Sequence, residues 1–259
     1  MQDNAVEHSF EPGTFRPSPQ RAHPSAMLRA QGLIEAKLFL RHGEQLLLSF
    51  IIPVGMLLVV GLVPMIKHAE PLTVGFPVML AIAAMSSGFT GQAIALAFDR
   101  RYGALKRTGA SGVPAWTIIG GKIIGLVVVS VLQAVILSVV AMMLGWHVPV
   151  VAALVGFGVF FFGVACFTAL GMLMGGTLSS ELVLGLANLV WLLLVGVAGY
   201  CAFSGVDVSG WLLAIPSIAL AEGIKAAFAG LFPVAALVSL LLWTVVGILG
   251  AAKWFKFAD

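Results

Sequence analysis

The chain has 259 residues, of which 60% are hydrophobic and only 10% charged, with a formal net charge of +3 and a mean hydropathy of +1.08. A soluble domain carries roughly 25% charged residues and needs polar cover for its surface, so this composition excludes a water-soluble globule and points to lipid as the solvent. Two cysteines, Cys166 and Cys201, lie inside apolar runs; with no further cysteine and no histidine cluster, a disulfide framework and a zinc site are excluded, and both read as small packing residues.

In chain order, residues 1–25 are polar and carry Pro12, Pro17, Pro19 and Pro24. They read as a disordered cytoplasmic tail, and nothing in them or just after them has the apolar core of a secretory signal. From Met27 to Gln45, the residues Met27, Ala30, Ile34 and Leu38 recur at helical spacing among Arg29, Glu35, Lys37 and Arg41, the pattern of an amphipathic helix lying in a membrane interface. Apolar runs long enough for the roughly 20 residues that a bilayer core demands follow at 47–66, 75–98, 117–144, 150–175, 182–202 and 231–252. A further stretch, Trp211 to Gly230, is interrupted by Pro216, Glu222 and Lys225 and reads as a re-entrant or interfacial helical segment. The expected architecture is therefore all-α, with six transmembrane helices in one membrane domain over residues 26–259.

Orientation follows from Lys and Arg near the span ends. With an even number of spans, all 14 basic residues except Lys67 and Lys225 fall on one side, which places both termini in the cytoplasm. No Asp, Glu, Lys or Arg lies near the middle of any span. Ion-coupled carriers and pumps depend on such groups or on broken ion-coordinating helices, so the chain does not read as a secondary transporter. The uncharged polar residues Gln92, Gln133, Ser138, Thr168, Asn188, Ser239 and Thr244 remain inside the spans. Each can bond to a neighbouring helix or line a substrate path; Gln92, Gln133, Asn188 and Trp191 are the path candidates. Gly121 with Gly125, and Gly171 with Gly175, have the small-xxx-small spacing of close helix contact, a weak signal among 30 glycines.

Enzymatic readings find no support. Gly109-Ala-Ser-Gly112 imitates a serine-hydrolase string, but Ser111 falls in the basic loop while His68 and His147 fall on the opposite side, out of reach of a base. No H-E-x-x-H string, paired-aspartate cluster or phosphate loop is present. Any ATP and Mg must therefore be bound by another polypeptide, and no cofactor is expected on this one.

The most informative stretch joins the second and third spans. It reads Asp99-Arg-Arg-Tyr-Gly-Ala-Leu-Lys-Arg-Thr-Gly-Ala-Ser-Gly-Val-Pro114, followed by Trp116 and Gly120-Gly-Lys122. Taken alone, it is a basic anchor for anionic headgroups with Tyr102, Leu105 and Trp116 available to dock on a partner. The order Asp99-Arg100, Gly103-Ala-Leu105, Pro114 and Gly121-Lys122 resembles the permease subunits of type-2 ATP-binding-cassette (ABC) transporters. The short Gly176 to Glu181 connection and the Pro216-containing segment before the last span fit the same family, over nearly the whole chain beyond residue 25. The resemblance implies a coupling helix seated in a groove of a separate ATPase subunit, carried by Asp99, Arg100, Arg101, Tyr102, Gly103, Leu105, Lys106, Arg107 and Pro114. It also implies two ATPase copies or two related chains, and a second permease as homodimer or heterodimer. The long N-terminal tail and Phe203-Ser-Gly205, where relatives have a Pro-Gly signal, depart from the family pattern.

The expected function is the permease subunit of an ATP-driven exporter of a hydrophobic or amphipathic cargo in a bacterial inner membrane, with no nucleic-acid partner. The alternative is a non-transporting membrane scaffold that recruits a cytoplasmic protein through the same loop.

Overall fold

A computed structural model describes residues 22–63, 71–110 and 113–256, and these form helices and no strand. The tail expected over residues 1–25 lies outside the described residues as far as residue 21, as do Lys67, His68 and Ser111. Helix α1 spans Pro24–Arg41, and α2 covers 43–62 through the π-helical turn Leu47–Ile51. Helix α3 is Pro71–Arg101, with a second π-helical stretch at Met85–Gly91. A short α4, Ala104–Ala110, precedes α5, Ala115–Met143. Then come α6 (Val150–Thr177), α7 (Ser180–Phe203), a 3-10 turn at Gly210–Ala214, α8 (Pro216–Phe228) and α9 (Val234–Trp254).

Five of these helices are long and apolar enough to cross a membrane: α3, α5, α6, α7 and α9. The first expected span is represented by the shorter apolar stretch Leu47–Leu62; the expected extension to residue 66 runs beyond the described residues.

Close contacts at glycines fix how the helices run. An ideal Cβ on Gly75 would sit 2.5 Å from the Val60 side chain, and Ser86 Oγ lies 3.1 Å from the Leu48 carbonyl, so α2 and α3 are antiparallel. Gly88 faces Val164 and Thr168, Gly171 faces Phe89, and Gly175 faces Ala93, so α3 and α6 run parallel. Gly247 meets Ala169, and Gly250 meets Leu173, which sets α9 parallel to α6. In turn α5 runs beside α1 (Gly120 on Leu28, Gly125 on Glu35) and then beside α2 (Gly61 on Leu144).

Helix α3 is the hub, with 89% of its most apolar window buried against 22% for both α7 and α9. Helix α8, the interrupted segment, does not lie on the outside of the bundle. Ile218, Leu220 and Ile224 are fully buried, with Leu220 against Gly163 and Phe228 against Gly156 of α6. Its charges, Glu222 and Lys225, neutralise each other at 2.9 Å. At that end Phe76, Trp146 and Phe228 pack with centroids 4.4 to 5.6 Å apart.

Helix α1 turns its small residues inward. Gly32, Ala36 and Phe39 are buried, while Leu33 and Ile34, at 69% and 53% exposure, face away from the bundle.

Candidate functional site

The basic stretch between α3 and α5 gathers other charges at the same end of the bundle. Arg100 ends α3 as a buried residue, and its Nη1 donates to the Gly175 carbonyl at 2.7 Å and the Leu178 carbonyl at 2.8 Å. The last turn of a helix leaves carbonyls without intrahelical partners, and a guanidinium suits their negative dipole end. Arg100 thereby caps α6. Arg101 pairs with Glu181 on the first turn of α7 and donates to Ser180 Oγ at 3.1 Å.

Asp99 turns the other way, accepting from Lys122 at 2.7 Å, while Glu35 lies 3.3 Å from the same ammonium. Lys122, whose side chain is only 9% exposed, thus links α1, α3 and α5. A salt bridge this buried is maintained by its geometry, and loss of one partner leaves a charge stranded.

Beyond Arg101 the chain turns at Gly103, where φ is +66° and a side chain would be strained. Arg107 Nη1 donates to the Tyr102 carbonyl at 2.6 Å and closes this turn. Tyr102 stacks on Phe98 yet is 63% exposed, and Lys106 and Arg107 are exposed with it, while Leu105 is half-buried. Pro114 caps the start of α5. The family-like residues therefore divide into an inward set, Asp99, Arg100 and Arg101, which bond other helices, and an outward set, Tyr102, Lys106 and Arg107. The C-terminal segment returns to the same end, where the Lys256 amide donates to the Gly176 carbonyl at 2.9 Å.

The four path candidates separate. Gln133 and Trp191 both bond side chains of the π-helical stretch in α3. Gln133 Nε2 donates to the carbonyls of Ser49 and Ala83, both at 3.2 Å, and its Oε1 is 3.1 Å from Ser87 Oγ. Trp191 Nε1 donates to Ser86 Oγ at 3.0 Å. A π turn loosens the helical ladder, and side-chain donors from α5 meet carbonyls beside those turns. Gln92 instead lines a cleft of about 610 Å³ bounded by α1, α3, α4 and α5. Asn188 lies half-buried on α7, and its Nδ2 donates back to the Leu184 carbonyl.

Sequence reasoning missed Ser86 and Ser87, although two hydroxyls beside a glycine in mid-span were a signal. It read Glu35 only as part of an amphipathic pattern. Gln133→Leu is expected to cost about 1–3 kcal/mol, since it removes a donor from the Ser49 carbonyl, one of the two donors to the Ala83 carbonyl, and the acceptor of Ser87 Oγ. A lower midpoint in a detergent-denaturation titration checks this.

Residues 32–219 match the ABC-2 type transporter family. The chain belongs to that family. No curated protein matches the chain. As an ABC-2 chain it is the membrane-embedded permease component of an ABC transporter, and the ATPase belongs to another part of that machine. The match runs from α1 to α8 and includes both the inward and the outward sets of charged residues.

Proposed function

We propose that this ABC-2 chain is one half of an ATP-driven exporter in a bacterial inner membrane, moving a hydrophobic or amphipathic cargo such as a drug, a lipid or a lipid-linked glycan. Six spans, counting α2, alternate in direction, with both termini in the cytoplasm; α1 lies along the interface, and α8 re-enters from outside. Two such halves, identical or related, pair above two ATPase subunits that carry ATP and Mg. The basic end is cytoplasmic, in keeping with the Lys and Arg bias.

One observation carries the reading. Tyr102, Lys106 and Arg107 are exposed on a short helical segment whose base is tied to α6 and α7 through Arg100 and Arg101. A partner that grips α4 thereby holds three helices. In this reading α4 is the coupling helix, Leu105 and Gly103 shape it, and ATP favours one permease state by differential contact there. Gln92 and Asn188 border the cargo path, and Gln133 with Trp191 holds the helices beside it.

The test begins with capture of the tagged chain from its native membranes, where an ABC ATPase is expected in stoichiometric amount. In vesicles reconstituted with that ATPase, Tyr102→Ala and Lys106→Glu are expected to lower cargo-stimulated ATP hydrolysis roughly tenfold, the scale of an interface hot spot. Recovery of the chain alone, or unchanged stimulation in both variants, rejects the proposal.

A further inference from the structure

The cleft at the basic end is lined by an acidic pair, basic residues and apolar side chains. Glu35 and Asp99 line it and share the buried ammonium of Lys122. Two carboxylates around one ammonium leave a net negative charge, the negative pole of the lining. Arg107 and the exposed His42 line the same cleft, as do Leu38, Phe39, Ile94 and Leu126. Asp99 keeps 32% of its side-chain surface exposed, and Glu35 18%, so both carboxylates can still accept hydrogen bonds from a ligand.

This is the complement of an amphipathic zwitterion. A phosphodiester pairs with a guanidinium through charge-assisted bonds, a primary ammonium donates to carboxylates, and an acyl chain covers the apolar wall. The cleft volume of about 610 Å³ is of headgroup rather than whole-lipid scale, so the chains leave along the apolar side.

We propose that this cleft between α1, α3, α4 and α5 binds one phospholipid whose head bears a phosphodiester and a primary ammonium. A quaternary ammonium has no N–H to give Asp99 or Glu35, and a glycerol head leaves the negative pole unpaired, so the site discriminates among headgroups. The bound lipid joins α1 and α4 to α3 at the end where the ATPase is proposed to grip. The side of the membrane on which this lipid sits follows from the orientation proposed above; the binding does not rest on it, and it is read without any ATPase.

The full chain is purified in non-ionic detergent, stripped of lipid, and offered ethanolamine-, choline- and glycerol-headed phospholipids of identical acyl chains. Native mass spectrometry counts the lipids that stay bound under collisional activation. One ethanolamine lipid per chain is expected to be retained at least about fivefold more strongly than the other two. Asp99→Asn is expected to remove that preference. Ala95→Trp fills the cleft from α3 one turn before Asp99 while leaving every charged side chain in the sequence, and is expected to abolish the tight lipid while its helical circular-dichroism signal stays unchanged. Retention without headgroup preference, or undiminished retention in a folded Ala95→Trp, overturns the proposal.

Discussion

Gly175→Leu is expected to prevent assembly of the bundle, and Gly175→Ala to destabilise it by about 3 kcal/mol or more, the upper range for overpacking. A Cβ at Gly175 would lie 2.3 Å from the Ala93 carbonyl oxygen and 3.0 Å from its C and Cα. One turn earlier, a Cβ at Gly171 would meet the carbonyl oxygens of Phe89 at 2.6 Å and Gly88 at 2.8 Å. Every one of these neighbours is backbone of α3. No rotamer change relieves the clash, so α6 has to move off the hub helix, and Arg100 then loses the carbonyls it caps. Gly185 and Gly196 on α7 serve as controls, because a Cβ there meets nothing within 4 Å; Gly196→Ala is expected to be neutral or to gain up to about 1 kcal/mol of helix propensity. The measurement is monodisperse yield and the denaturation midpoint in detergent. Equal behaviour of Gly175→Ala and Gly196→Ala would contradict the α3–α6 contact.

These glycines show where the sequence was legible. The all-α architecture was readable, because composition and run length alone decide what lipid tolerates; α5, α6, α7 and α9 begin and end within a few residues of the expected spans. The stretch interrupted by Pro216, Glu222 and Lys225 is the 13-residue helix α8. Which glycines matter was not readable. Gly171 and Gly175 touch backbone, whereas Gly185, Gly196 and Gly199 touch nothing, and only the neighbouring helix makes the difference. Helix α1 makes the same point. Its apolar residues Ile34 and Leu38 read as a face turned to the membrane interface, and that Gly32 and Ala36 form a packed face on the other side was not readable. Where lipid tails are as apolar as leucine, close approach of small residues selects the contact. At the candidate site, Tyr102 and Lys106 are exposed. The inward use of Arg100, Arg101 and Asp99 was hidden, because their partners Gly175, Glu181 and Lys122 lie on other helices.

The contrast between Arg100 and Arg101 separates packing from surface charge. Arg100→Ala is expected to cost about 2–4 kcal/mol, because it removes two charge-assisted bonds and leaves the last carbonyls of α6 buried without their donor. Arg100→Lys is expected to recover only part, since an ammonium does not reproduce the guanidinium's spread of donors. Arg101→Ala is expected to cost less than about 1 kcal/mol, since its pair with Glu181 is 43% and 64% exposed and water competes for it. Denaturation midpoints of the three variants check this order. The functional consequence differs in kind. Arg100→Ala leaves Tyr102, Lys106 and Arg107 in place, so the ATPase is expected to bind with unchanged affinity. What it removes is the polar tie between the end of α3, which leads into α4, and the end of α6, while the glycine contacts farther along the two helices remain. In the proposed mechanism a pull on α4 then reaches α6 less tightly, and cargo movement is expected to fall more than ATP hydrolysis. Loss of ATPase binding in Arg100→Ala, or a larger transport defect in Arg101→Ala, would place the mechanical link elsewhere.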